Sequence, residues 1–341
     1  MKPETLLKKI DRAARAVDAF LIDFINRDEQ IPKLHEGMIY ALGLDKKNDV
    51  SIRGKRLRPA LGMLACEALG QDPKLGLPFF AAVELFHNFT LVHDDIEDGD
   101  TFRRNRPCTY MKFGMAHGIN IGDFMLVKVF GSLMDTAGPD IPPKKRLNLI
   151  DLMIDTLEHT HVGQALDINA RFTEQFTIAD YFRLVTEKTG YCLAAPMEAA
   201  TILAGASRKV REAIGRYARA VGPLFQIRDD MIDLTEGKGR KCVGSDIREG
   251  KRSYLVAHVT SHCTEKERKK LYRILDAPRD KTRDPHVDWV IELFKKYGSF
   301  EAAEGENERL FSDAFEAIAG TPPKLRKLLD AFARLLVERK R

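Results

Sequence analysis

The chain has 341 residues, a net charge of +5 and an apolar fraction of 44%, the composition of a globular chain long enough for one large domain or two ordinary ones. No uninterrupted apolar run reaches membrane-spanning length, and the start, Met1-Lys2-Pro3-Glu4-Thr5, lacks the apolar core of a signal peptide, so a cytoplasmic location is expected. Five scattered cysteines without a CxxC pair argue against a disulfide framework or structural zinc, and the mild, dispersed positive charge with no nucleic-acid motif argues against a polymer partner.

Helical periodicity begins at once. Residues 4–28 place Leu6, Leu7, Ile10, Ala14, Val17, Phe20, Leu21, Phe24 and Ile25 at three- and four-residue spacing. Comparable patterns predict helices over 56–70, 76–98, 114–136, 145–171, 178–204, 208–235, 251–261, 265–276, 285–297, 299–319 and 323–339. No segment alternates with the period of two that a sheet needs. The breaks fall at Gly138 to Pro143, Gly237 to Gly250 and Thr321 to Pro323, where Gly and Pro collect. None has the composition of an interdomain linker, so residues 1–341 are expected to form a single all-α domain. The largely apolar segment Ile119 to Leu133 suits either a bundle centre or a subunit contact.

Four polar constellations interrupt this pattern. Arg53-Gly54-Lys55-Arg56-Leu57-Arg58-Pro59 puts several cations next to a glycine, where the backbone can bring them to one anion. Next, Glu84 to Val92 leads through His93 into Asp94-Asp95-Ile96-Glu97-Asp98, followed by Arg103-Arg104-Asn105-Arg106-Pro107. On a helix Asp94 and Asp98 share a face one turn apart, and His87 lies two turns earlier on nearly the same face. Gly163-Gln164-Ala165-Leu166-Asp167 and Glu187-Lys188-Thr189-Gly190 form a polar patch and a lysine set in apolar helices. Last comes Gly222-Pro223-Leu224-Phe225-Gln226-Ile227-Arg228-Asp229-Asp230-Met231-Ile232-Asp233, with Lys238, Lys241 and Gly250-Lys251 beyond it. Any one of these alone fits a solvated surface equally well. Two DDxxD clusters, each trailed by cations, suggest two walls holding hard cations and, through them, a polyanion such as a diphosphate. The absence of soft ligands nearby favours Mg²⁺ or Mn²⁺ over zinc.

In this order, the motifs resemble those of the trans-isoprenyl diphosphate synthases, the polyprenyl synthetase family. The matching pieces are Gly-Lys-Arg-Leu-Arg-Pro at 54–59, His-Asp-Asp-x-x-Asp then Arg-Arg-x-x-Pro, Gly122-Asp123, Gly-Gln-x-x-Asp at 163–167, Lys188-Thr189 and Phe-Gln-x-x-Asp-Asp-x-x-Asp. Lys241-x-x-Gly-x-Asp and Gly250-Lys251 complete the set. Three positions depart: Arg53 and Arg240 replace glycines, and Cys108 stands where threonine is common.

The resemblance implies an all-α helical bundle of the isoprenoid synthase type with a central active-site cavity. It implies that isopentenyl diphosphate is joined head to tail to an allylic diphosphate (dimethylallyl, geranyl or farnesyl), with the released diphosphate as base. It also implies three Mg²⁺ ions, with Asp94, Asp98 and Asp229 as principal ligands and Asp95, Asp230 and Asp233 ligating or orienting bound waters. Arg103, Lys188, Lys241 and Lys251 map to the allylic diphosphate, with Thr189 and Gln226 beside it. Lys55, Arg58, His87 and Arg104 map to isopentenyl diphosphate, which binds without metal. A homodimer is expected as well.

Two other enzyme readings and one non-catalytic reading compete. A class I terpene cyclase would carry an Asn/Asp-Ser/Thr-Glu second motif and no isopentenyl pocket. A regulatory subunit of a heteromeric synthase would have lost acids or cations, and every one is present here. Farnesyl diphosphate synthesis is the alternative within the family. Phe89 precedes Asp94 by five positions, about 7.5 Å along a helix, and Phe86 is nearly a turn lower. With no insertion in the first acidic motif and Thr90 in place of a second aromatic, the pattern resembles archaeal-type geranylgeranyl diphosphate synthases, so a C20 product is expected ahead of C15.

Overall fold

The first helix, Pro3–Asn26, starts with proline inside its first turn, where the missing N–H costs nothing, and buries Leu6, Ile10, Ala14, Val17, Leu21 and Ile25. That is the face its sequence spacing predicts. The computed structural model describes residues 1–46, 49–135, 140–173, 175–235 and 243–337. Among these the long helices follow the expected runs closely, including Leu57–Ala68, Leu77–Glu97, Met115–Asp135, Pro143–Ala170, Arg208–Thr235, Glu265–Leu275, Ser299–Ala317 and Pro323–Val337. Among the described residues the fold is all-α apart from one two-residue hairpin, as the helical periodicity predicts.

The chain divides into two compact units. The first comprises Met1–Leu157, Cys192–Gly215 and Gly320–Ala331; the second comprises Glu158–Tyr191, Arg216–Ala319 and Phe332–Arg341.

In the first unit Leu77–Glu97 packs along Met115–Asp135 and against Leu57–Ala68. It is buried almost all round its upper turns, with Phe79, Phe80 and Phe86 at 0% exposure, each contributing about 2–3 kcal/mol of apolar burial. By length and composition the stretch Pro73–Glu97 could cross a membrane, but 67% of its apolar window is buried within the protein, as in a core helix. Close approach sets two glycines: a Cβ on Gly62 would stand 2.4 Å from the Phe80 ring, and one on Gly122 would stand 2.3 Å from His93 Nε2. An additional helix, Leu34–Ala41, escapes the sequence pattern because it is only eight residues long. Its Gly37 lets it close onto Ile121, where a Cβ would sit 2.2 Å from Cδ1.

In the second unit Tyr181 and Tyr217 are fully buried anchors, and Tyr181 meets Tyr254 edge-on at 5.7 Å. Capping boxes open two helices, Thr177 with Asp180 at Ile178–Val185 and Thr264 with Glu267 at Glu265–Leu275. The run expected as one helix over 178–204 is split by a wide π-turn, Thr186–Gly190. Such turns recur at functional sites, and this one carries Lys188. Two glycines allow it: a Cβ on Gly163 would lie 2.2 Å from Lys188 N, and one on Gly222 would lie 2.9 Å from Gly190 Cα.

Candidate functional site

The first acidic motif occupies the last turn of Leu77–Glu97, where the Asp98 N–H donates to the Asp94 carbonyl at 2.8 Å. Asp94 and Asp98 are half-buried one turn apart, as the spacing predicts, whereas Asp95 is buried. Arg103 Nε donates to Asp95 Oδ1 at 2.5 Å, and the Cys108 thiol also donates to this carboxylate. Burial raises the Asp95 pKa against the pull of Arg103. Burial and Asp95 likewise push the Cys108 thiol up, so it remains a donor. That explains why cysteine is tolerated where threonine is common.

Arg103 and Arg104 lie on a two-residue hairpin, with Phe102 paired to Pro107 and Arg103 to Arg106. Both loop residues are left-handed, Arg104 at φ 51° and Asn105 at φ 61°, which defines a type I′ turn. Asparagine tolerates that region, but at Arg104 it costs about 1 kcal/mol or more. The turn drives the Arg104 guanidinium inward: Nη1 donates to the Arg53 carbonyl at 3.1 Å and lies 3.4 Å from Asn88 Oδ1. Gly54, at φ 83°, makes room for it, since a Cβ there would stand 3.0 Å from Arg104 Cζ.

Around His87 the cations crowd. Arg58 Nη1 lies 3.2 Å from His87 Nε2. Arginine can only donate, so Nε2 must accept and the ring proton rests on Nδ1. Burial, then Arg58, Arg104, Arg103 and Arg56, hold the imidazole pKa well below its ordinary value, so the ring is neutral. Burial and Arg56 bring the Arg104 pKa down to about 10. Lys55 is exposed beside them. Arg56, which the sequence gave no separate role, is buried and bonded to Asp18 at 2.9 Å, Glu84 at 2.7 Å and the Leu42 carbonyl at 2.6 Å. Arg53, the departure from glycine, is buried too and bonds Asp18 at 2.7 Å and Asp11 at 3.3 Å. Phe86 and Phe89 are buried on the acidic helix with ring centroids 6.0 Å apart, and Phe89 lies 4.7 Å from the His93 ring.

The second acidic motif lies near the end of Arg208–Thr235. Asp229 is half-buried. Asp230 is buried and accepts from Gln226 Nε2 at 2.9 Å and from the Tyr181 hydroxyl at 3.1 Å. Burial and Asp230 raise the Tyr181 pKa well above 10, so the hydroxyl stays a donor. Asp233, at 0% exposure, accepts from Ser245 Oγ at 2.6 Å and from the Asp246 N–H at 3.0 Å. It thereby fastens the turn Ser245–Arg248 to the acidic helix. No sequence signal marked Tyr181 or Ser245, because a buried tyrosine and a loop serine look like core and cap.

On the π-turn Lys188 Nζ bonds Asp167 Oδ2 at 2.6 Å, and Thr189 stands next to it half-buried. Although burial opposes it, Lys188 keeps the Asp167 pKa below the carboxylate norm. Lys251 pairs with Glu249 at 2.7 Å and Asp246 at 3.5 Å. Lys238, Arg240 and Lys241 lie outside the described residues.

Among the described residues no three His, Cys, Asp or Glu side chains converge into a ready-made metal cage. The donors within each motif are carboxylate oxygens alone, and they are half-exposed at Asp94, Asp98 and Asp229. That set fits Mg²⁺, which takes one or two carboxylates and completes its shell with water and phosphate oxygens.

Residues 46–294 match the polyprenyl synthetase family. The chain is 33% identical to a short chain isoprenyl diphosphate synthase of Methanothermobacter thermautotrophicus, over 79% of this chain and 85% of that one. It is 36% identical to a geranylgeranyl diphosphate synthase of Methanosarcina mazei, over 74% and 75%. The crystal structure of a geranylgeranyl pyrophosphate synthetase from Pyrococcus horikoshii superposes with a TM-score of 0.86 at 31% identity, over 99% of this chain and 100% of that one. Other relatives, 33% and 30% identical, are named farnesyl and geranylfarnesyl diphosphate synthases. The chain belongs to the polyprenyl synthetase family. It is an enzyme, a prenyltransferase of isoprenoid biosynthesis.

Proposed function

We propose that this chain condenses isopentenyl diphosphate with short allylic diphosphates to give geranylgeranyl diphosphate. The observation that carries the reading is Arg58 and Arg104 beside a half-buried, neutral His87. Arg58 bonds the imidazole and Arg104 bonds main-chain carbonyls and the Asn88 amide, with Arg56 and Arg103 close by and paired to Asp18, Glu84 and Asp95. Like charges so placed are relieved by a compact polyanion, and a diphosphate is one. In this reading Lys55, Arg58, His87 and Arg104 hold the isopentenyl diphosphate. Arg103, Lys188, Lys241 and Lys251 hold the allylic diphosphate, with Thr189 and Gln226 beside it.

The allylic C–O bond ionises, the alkene of isopentenyl diphosphate attacks the allylic carbon, and the departed diphosphate takes the proton that is then lost. Charge develops on the leaving diphosphate, so permanent cations aimed at it lower the barrier. When bound, Mg²⁺ supplies Lewis-acid stabilisation of that same charge. Asp94, Asp98 and Asp229 are its ligands in this reading, with Asp95, Asp230 and Asp233 orienting bound waters from behind them. Mn²⁺ is the expected substitute.

The C20 product is supported by the compact first motif, by the Phe86–Phe89 stack and by the named product of the Methanosarcina relative. A homodimer is supported by an outer stripe on Met115–Asp135: Ile119, Val127, Phe130 and Met134 are 43–65% exposed, opposite buried Ile121, Met125, Val129 and Leu133. The cytoplasm and the action of residues 1–341 as one catalytic domain belong to the same reading.

Incubation with labelled isopentenyl diphosphate and each short allylic diphosphate in Mg²⁺, with product lengths resolved, tests it. Mainly C20 product is expected from a protein that light scattering finds dimeric. Phe89→Ala should shift products to longer chains. Mainly C30 or longer chains from the wild type, or unchanged products from Phe89→Ala, would overturn the assignment of length.

A further inference from the structure

Asn88 is buried at 1% exposure, one turn after Glu84 on the acidic helix, and neither the motifs nor the chemistry above uses it. Its amide nitrogen donates to Glu84 Oε1 at 2.7 Å and to the Glu84 carbonyl at 2.8 Å. Its amide oxygen lies 3.4 Å from Arg104 Nη1. Glu84 in turn accepts from Arg56 at 2.7 Å, and Arg56 is held by Asp18 at 2.9 Å. A buried chain of bonds therefore runs from Asp18 through Arg56, Glu84 and Asn88 to Arg104. Arg104 needs such an anchor. Its backbone is strained at φ 51°, burial lowers its pKa to about 10, and its other neighbours are the carbonyls of Arg53 and Ile52.

We propose that Asn88 is a positioning residue that ties the Arg104 guanidinium to the buried Asp18–Arg56–Glu84 chain and so aims it at isopentenyl diphosphate. The amide suits both ends, because only a neutral group with a donor and an acceptor can bond a carboxylate and a guanidinium together. The bond couples Arg104 to a rigid helix rather than to the turn that strains it. This inference rests on the reading that Arg104 binds isopentenyl diphosphate.

The test is a double-mutant cycle in full-length enzyme, with KM measured separately for isopentenyl and allylic diphosphates. Arg104→Ala should raise KM for isopentenyl diphosphate at least tenfold; if it does not, the reading of Arg104 fails and the inference falls with it. Asn88→Ala should raise the same KM about five- to tenfold, leave the allylic KM unchanged, and add nothing further in the Arg104→Ala background. Full additivity, or an equal rise in both KM values, would overturn the role of Asn88. Asn88→Asp separates the two ends: it keeps an oxygen facing Arg104 but cannot donate to Glu84, so the tie to the buried chain is broken and KM for isopentenyl diphosphate should rise as in Asn88→Ala, with the allylic KM unchanged. A KM for isopentenyl diphosphate within about threefold of wild type would overturn the role of the Asp18–Arg56–Glu84 chain.

Discussion

The two acidic motifs share one pattern, Asp-Asp-x-x-Asp at the end of a helix, yet their side chains are held differently. In both, the first aspartate is half-buried and the second buried. The second is tied to a cation in one case, Asp95 to Arg103, and to neutral donors in the other, Asp230 to Gln226 and Tyr181. The third aspartates diverge most. Asp98 is half-buried, whereas Asp233 has no exposed surface and fastens Ser245 and Asp246. Their cations differ as well. Around His87, Arg56 bonds Asp18 and Glu84 and Arg103 bonds Asp95, whereas Arg58 bonds the imidazole and Arg104 bonds main-chain carbonyls and the Asn88 amide; Lys188 and Lys251 bond Asp167, Glu249 and Asp246. The same pattern thus yields one motif with two half-buried carboxylates and another with one, the remaining three being buried.

The largest expected effect tests what the two motifs share. Asp94→Ala or Asp229→Ala should lower kcat about a thousandfold or more, because each removes charge needed only as the diphosphate departs. EDTA should abolish turnover and added Mg²⁺ restore it. An Asp94→Ala enzyme with near wild-type kcat, or full activity in chelator, would sink the assignment for both motifs.

A second substitution pair sharpens the difference between them. Asp98→Ala should lower kcat about a hundredfold and lower Tm less than Asp233→Ala does, because Asp98 is half-buried where Asp233 is fully buried. Asp233→Ala strips the acceptor from two buried donors, which costs about 1–3 kcal/mol. Its Tm should therefore fall by about 2–5 °C, with Asp233→Asn recovering most of the loss because it keeps an acceptor. If Asp233→Ala instead kept its Tm and Asp233→Asn lost as much kcat as Asp98→Asn, the two third aspartates would have the same job after all. Thermal melts and steady-state rates on four purified variants decide it.

What was legible in the sequence follows from what sequence patterns encode. The 3.6-residue spacing of Leu6, Ile10, Val17 and Leu21 records a buried face, so the long helices and their register could be read directly. So could the pairing of Asp94 with Asp98 on one turn. Three features could not. The left-handed Arg104 has no composition signal, because the turn expects Asn-Gly and only Asn105 obliges. The π-turn Thr186–Gly190 adds one residue to a helix without changing the apolar character of the run. The burial of Asp233 depends on Ser245, twelve residues away, and spacing within a motif carries no such information. The tolerance of Arg53 and Cys108 is equally a matter of distant partners, Asp18 and Asp95.

The smallest expected effect probes the crowded cations, and its sign can be worked out. Burial and the charges of Arg58, Arg104, Arg103 and Arg56 hold the folded pKa of His87 well below 6.5. Above pH 6.5 the ring is neutral whether the chain is folded or not, so it adds no pH dependence there. As the pH falls below that value the unfolded chain takes up a proton that the folded site refuses, and stability is lost, by at most about 1.4 kcal/mol per pH unit. His87→Gln removes this titration, so its Tm should decline less steeply than wild type between pH 7 and pH 5.5. A bound diphosphate offsets the surrounding positive charge and makes protonation easier. Saturating isopentenyl diphosphate should therefore flatten the wild-type decline while leaving the slope of His87→Gln nearly unchanged. Equal slopes for the two proteins without ligand would mean that His87 is not held neutral in the folded state. Equal flattening of both by ligand would place the diphosphate's influence away from this ring.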